Sequence, residues 1–191
     1  MGKGGKDPDR TPEGHTELME ASRLGNAGWA QELLWRGADK DATNENGETA
    51  LILASQAGSR AIVQALLEAG ADTEVWGGGH RGAAGHRGQS SLEPGTALTI
   101  AIQRALRGGR RCRRRANWGT RVPPTGMPFM PNAWRHEQCV QTLLKAGADP
   151  AALVDYLGAM KVTLLKVVLG ALGLPKDGRK AELVARLEQA L

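Results

Sequence analysis

Apolar residues recur with a helical period along most of this chain, in short runs separated by glycine turns. Near the C-terminus, Leu165, Leu169 and Leu172 are followed by a break at Gly173, Leu174 and Pro175. A second series follows at Leu183, Val184, Leu187 and Leu191. Residues three or four apart share one face of a helix, so this stretch reads as two short amphipathic helices joined by a Gly/Pro loop. The first of the two also carries Leu164, Val167, Val168, Gly170 and Leu172 where polar residues would suit a free helix. A helix apolar nearly all round is normally buried, so it is expected to pack against the segment before it. That segment contains Asp149 and Pro150, an N-cap and a first helical residue, which start a further short helix through about Leu157.

The first part of the chain repeats itself. Thr16-Glu-Leu18 returns as Thr49-Ala-Leu51, Leu33-Leu34 as Leu66-Leu67, and Gly37-Ala-Asp39 as Gly70-Ala-Asp72, each at an offset of thirty-three residues. A third copy opens at Thr96-Ala-Leu98 and closes at Leu143-Leu144 and Gly147-Ala-Asp149, interrupted by insertions at about 77–95 and 107–135. Both fall at surface connections, where lengthening a loop costs little. A thirty-three-residue period with a Thr-x-Leu opening and a Leu-Leu-x-x-Gly-Ala-Asp ending resembles the ankyrin repeat. The resemblance covers most of residues 15–150. It implies paired antiparallel helices that stack on their neighbours to complete the core. It also implies a protein partner on the inter-repeat turns and the exposed side of the first helices. The matching positions are Arg23 and Leu24, Gln56 and Ala57, Gln103 and Arg104, with Lys40, Glu45, Glu48 and Trp76 on the turns; ordinary variable surface is the other reading of them.

Residues 160–191 carry a second resemblance. Met160-Lys-Val, Leu165, Leu169, Gly173-Leu174-Pro175, Gly178, Lys180-Ala-Glu-Leu183 and Arg186-Leu187 are similar to the SAP motif, a helix–loop–helix module of chromatin and nucleic-acid-associated proteins. The resemblance implies binding to DNA, in preference to RNA, mostly through the backbone. The loop and the start of the second helix would make the contact, through Lys176, Gly178, Arg179 and Lys180, with Lys161 and Lys166 of the first helix alongside. Asp177 is the expected N-cap, and exposed amides at a helix start beside cations make a phosphate site. A helical hairpin with merely solvated cations is the alternative.

Charge sharpens this division. The net +5 conceals nine Lys/Arg against fourteen Asp/Glu in residues 1–93, and nine Arg with no acid in 94–136. Arg110, Arg111, Arg113, Arg114 and Arg115 form the densest run. Such clusters serve as nuclear localisation signals or nucleic-acid patches, and they also occur as solvated loops. Trp118 lies just beyond and could stack on a base. Residues 1–14 lack an apolar core for a secretory signal and read as a disordered tail, and no apolar run reaches eighteen residues, so neither secretion nor a membrane span is expected. Cys112 and Cys139 sit in unlike contexts and suggest reduced intracellular thiols. His80 and His86 in the Gly-rich first insertion lack a carboxylate or thiol partner and fall short of a metal ligand set.

No phosphate-binding Gly-Lys-Ser/Thr loop, nucleophile elbow or His-Glu-x-x-His is present. The expectation is therefore a mainly α protein without cofactor, metal or small-molecule substrate. About three ankyrin repeats (15–150) would be followed by a capping helix or linker (151–159) and the SAP-type module (160–191). It would act as a non-enzymatic adaptor between a protein partner and nucleic acid, nuclear or nucleo-cytoplasmic. A pure protein scaffold, with the C-terminal hairpin as a packed cap, is the competing reading.

Overall fold

The computed structural model of the chain describes residues 16–77, 95–111 and 132–191, without the side chains of 108–111 and 132–133. The predicted tail, the Gly-rich stretch with His80 and His86, and Cys112, Arg113, Arg114, Arg115 and Trp118 lie outside these residues. Eight α-helices and one 3-10 helix make up the described part, with no strand beyond an isolated bridge between Gly77 and Gly95.

Each repeat begins the same way. Thr16, Thr49 and Thr96 place a hydroxyl on the amide three residues ahead, at 3.3, 3.4 and 3.5 Å. The cap satisfies one of the amides that the first helical turn leaves without an internal partner. These caps start α1 (Glu17–Leu24), α3 (Ala50–Ala57) and α5 (Ala97–Arg111). Two-residue connections lead α1 and α3 into α2 (Ala27–Trp35) and α4 (Arg60–Glu68), so the helices of each pair run antiparallel. The partner of α5 is α6 (Asn132–Lys145). Helix enters the stretch expected to be loop from both sides, through Arg111 and from Asn132.

The outer helices end in the Gly-Ala-Asp turn. Gly37, Gly70 and Gly147 have φ of 84°, 76° and 92°, a left-handed conformation that glycine enters without steric cost. The turns are tied together by carboxylates at a matching repeat position. Asp41 accepts from the amide of Asp72 at 2.9 Å, and Glu74 accepts from the amide of Asp149 at 3.1 Å. The second bond shows that the third repeat stacks in register despite its long interruption.

Two layers result. The inner layer runs α1, α3, α5, and the outer runs α2, α4, α6. The stack then continues with different material. The 3-10 helix Pro150–Ala159 packs on α5, where a fourth inner helix would lie, and α7 (Val162–Ala171) packs on α6, where a fourth outer helix would lie. Asp149 caps the 3-10 helix by accepting from Ala151 N at 2.9 Å with Pro150 at its start, and the element runs on to Ala159. Tyr156 accepts a hydrogen bond from Gln103 of α5 at 2.9 Å. Leu153, Leu157, Met160, Leu164, Leu165, Val168 and Leu169 are all buried and continuous with the repeat core. The apolar surround of α7 is thereby explained: it is buried between α6 and α8 (Lys180–Ala190).

Candidate nucleic-acid interface

The chain leaves α7 through Leu172 and Gly173 and returns along it before entering α8. Two contacts fix that path. Lys176 lies over Gly170, where a Cβ would collide with its Cε and Nζ. Further on, Lys180 Nζ donates to Gly158 O at 2.9 Å, so α8 begins beside the end of the 3-10 helix. The loop therefore carries its cations from the last turn of α7 back towards its start.

The start of α8 differs from the sequence expectation. Asp177 is not the N-cap; Arg179 is, with extended backbone at φ −77°, ψ 162°. The cap works from the other side. Glu182, in the first turn, reaches back and accepts from the Arg179 amide at 3.1 Å. An arginine has no acceptor to return the bond, so only half of a capping box operates. Gly178 makes room for it: its φ is +125°, and a Cβ there would collide with the Glu182 carboxylate. Gly178 thus shapes the loop.

Arg186 is the residue that sequence reasoning missed as part of the site. Its Nη1 donates to Pro175 O at 2.9 Å and to Asp177 O at 2.7 Å. One guanidinium, two turns into α8, thereby clamps the loop by its carbonyls. The signal was its spacing four residues after Glu182, which places both side chains on one face of α8, over the loop. With the carbonyls turned to Arg186, the side chains of Lys176, Arg179 and Lys180 remain exposed. The first internal bond of α8 runs from Leu183 N to Arg179 O at 3.1 Å, so the amides of residues 180–182 precede it at the positive end of the helix dipole. Lys161, which precedes α7, and Lys166 on α7 are exposed too. Residues 157–191 hold six Lys/Arg against three Asp/Glu. The loop thus brings exposed cations next to the free amides of a helix start, the kind of chemistry that suits an anion.

Comparison with known families agrees with both halves of the molecule. The family of ankyrin repeats (3 copies) matches residues 3–76 and 18–108, and the SAP domain family matches residues 157–191. The repeat matches together span more than half of the chain, which belongs to the ankyrin-repeat proteins and carries a C-terminal SAP domain. Ankyrin repeats are protein-interaction modules and SAP domains bind nucleic acid, and neither is typically catalytic. No curated protein matches the chain.

The residues expected to meet a protein partner are not equally available. Trp76 is 62% exposed at the turn where the third repeat begins. Arg23 is exposed at the end of α1 and paired with Glu20. Gln56 is half-buried and donates to Glu48 at 3.0 Å. Gln103 is a correction: it is buried and engaged with Tyr156, because the 3-10 helix covers the inner face of α5. Arg104 beside it is half-buried. Arg110 and Arg111 belong to the last turn of α5.

Among the described residues no group of His, Cys, Asp and Glu is placed to hold a metal ion, and no helix is long and apolar enough to cross a membrane. Cys139 is buried in the core, and burial pushes its thiol up to about 12, against the opposing charge of Arg60. It is a packing residue, not a nucleophile.

Proposed function

We propose that this protein is a non-enzymatic adaptor that holds a protein partner on its ankyrin stack and DNA at the loop of its SAP domain. The observation that carries the reading is the Arg186 clamp: it fixes a loop whose exposed cations are Lys176, Arg179 and Lys180 at the start of α8. With the Pro175 and Asp177 carbonyls taken up by Arg186, exposed cations beside the first-turn amides of α8 suit phosphate and not a cationic partner. DNA is favoured over RNA by the SAP likeness, and recognition through the backbone gives affinity with little sequence preference. The protein partner would lie along the turns near Trp76, Glu45 and Glu48. Chromatin association and a nuclear or nucleo-cytoplasmic location follow from the same reading. The Arg110–Arg115 run would supply either a transport signal or an additional contact.

The competing reading, a protein scaffold with the C-terminal hairpin as a cap, draws support from the burial of α7 on α6. One experiment separates the two. The full chain and a Lys176→Glu, Arg179→Glu, Lys180→Glu variant are compared for binding to a mixed-sequence DNA duplex. Binding that the variant loses while keeping its helical content supports the adaptor. Absence of binding by the native chain at physiological salt favours the scaffold.

A further inference from the structure

The two ends of the helix stack differ in charge, the Gly-Ala-Asp end being the more acidic although Arg36, Lys40 and Lys145 also lie there. At one end of the stack lie the Gly-Ala-Asp turns, with Asp39, Asp41, Asp72, Glu74 and Asp149. The opposite end is where inner helices hand over to outer ones: Gly58–Ser59, the end of α5 and start of α6, and Met160–Lys161. Hydrogen bonds trace this second edge as a continuous row. His136 Nε2 lies 3.1 Å from Gln56 O, Arg60 Nη1 donates to Gln138 Oε1 at 3.0 Å, and Thr163 Oγ1 donates to Glu137 Oε1 at 3.2 Å. Lys180 Nζ then closes on Gly158 O at 2.9 Å. The first turns of α4, α6, α7 and α8 are therefore side by side.

Each of those turns carries an exposed cation: Arg60, Arg135, Lys161 and Lys180. Arg135 lies close to the α3–α4 connection, its Cβ 3.3 Å from where a Cβ on Gly58 would stand. The acids on these turns are Glu137, bonded to Thr163, and Glu182, bonded to the Arg179 amide. Packed helices are spaced about 8–10 Å apart, so the row from α4 to α7 spans roughly 20 Å. At ~3.4 Å per base pair that is about six base pairs of duplex.

We infer that this edge of the ankyrin stack is a second nucleic-acid surface, in which Arg60 and Arg135 extend the SAP site along the phosphates of the same DNA duplex. The inference rests on the proposed DNA binding by the SAP loop. The loop alone would cover two or three phosphates. The edge lengthens the footprint, and the fixed packing of α7 on α6 keeps both parts in line.

The test is a salt titration of the full-length chain binding a 20-base-pair mixed-sequence duplex. The native chain is compared with Arg60→Gln/Arg135→Gln, Arg60→Lys/Arg135→Lys and Lys176→Gln/Arg179→Gln variants, with melting temperatures recorded for each. Each lost phosphate contact lowers the slope of log K against log salt by about 0.9, so the first variant should lose about 1.8 in slope. Referred to an unchanged affinity at 1 M salt, that is roughly a sixtyfold loss at 0.1 M. The Lys/Lys variant should restore the slope, since it keeps the charge. Unchanged slope and affinity in the Gln/Gln variant, with binding lost in the loop variant, overturns the edge and leaves the SAP reading standing. Full binding by the loop variant with loss in the Gln/Gln variant overturns the SAP reading, and with it the inference that the edge extends that site. Failure of the Lys/Lys variant to restore binding, with a lowered melting temperature, shows a structural role and overturns the inference. So does binding of phosphatidylserine vesicles with the same Arg60 and Arg135 dependence when the duplex does not bind.

Discussion

The packing of α7 as a fourth outer helix makes a demanding prediction, because all five tryptophans lie at or before Trp134. Their fluorescence reports the ankyrin stack and not the SAP domain. Leu164 and Leu165 are 1% and 0% exposed and, at 100° per residue, point to adjacent faces of α7, so both its contacts can be probed singly. Truncation of a fully buried leucine to alanine costs about 3 kcal/mol from lost burial and the cavity left behind. At roughly 2–4 °C per kcal/mol for a chain of this size, the expected fall in melting temperature is about 6–12 °C. The assay is thermal unfolding of Leu164→Ala and Leu165→Ala followed in parallel by tryptophan fluorescence and far-ultraviolet circular dichroism. A shared helix shifts both signals together for at least the leucine that faces α6. A fluorescence midpoint that stays put in both variants, while circular dichroism gains a separate early transition, would show that the SAP domain is appended and unfolds alone.

Other expectations bear on individual contacts. Arg186→Ala removes two donors from the loop carbonyls; DNA affinity should fall about tenfold while the fluorescence midpoint moves little, and Arg186→Lys should recover only part of it. Gly178→Ala sets a side chain against the Glu182 carboxylate in a left-handed backbone; losing the cap and straining the turn should cost about 2 kcal/mol, read as faster amide exchange in the first turn of α8. Asp41→Ala deletes the acceptor for the Asp72 amide and should destabilise the stack by about 1 kcal/mol, measured by urea denaturation. Cys139 has a raised folded-state pKa, so its contribution is complete below the unfolded value of 9.0 and fades as pH rises towards about 12. Stability should fall by up to about 1.4 kcal/mol per pH unit above pH 9, a slope that Cys139→Ala removes in denaturation curves taken at pH 8 and pH 10.

Much of the fold was legible because its signals are local. The Thr caps and Gly-Ala-Asp turns are fixed by single residues; they recur at thirty-three residues in the first two repeats and keep their order in the interrupted third. The apolar surround of α7 also announced its burial. The sequence pointed to the preceding segment as its packing surface but not to α6 in particular, since the stacking of α7 on α6 depends on partners outside the repeat pattern. The same reason hid the burial of Gln103, which looks like a surface residue until the 3-10 helix brings Tyr156 over it. In the SAP loop, residue types gave the cations but not their supports. Asp177 is the conventional cap by composition, yet Gly178 bends the chain so that Glu182 caps from inside the helix and Arg186 takes the carbonyls. Local propensity lost there to side chains reaching back from α8.

The most direct measurement is an amide chemical-shift titration of the full chain with a short mixed-sequence DNA duplex. The largest changes should fall in residues 176–183, around the loop and the start of α8, with smaller changes at Arg135 and Lys161. Changes confined to the Gly-Ala-Asp turns, or none at all, would contradict DNA binding at the SAP loop.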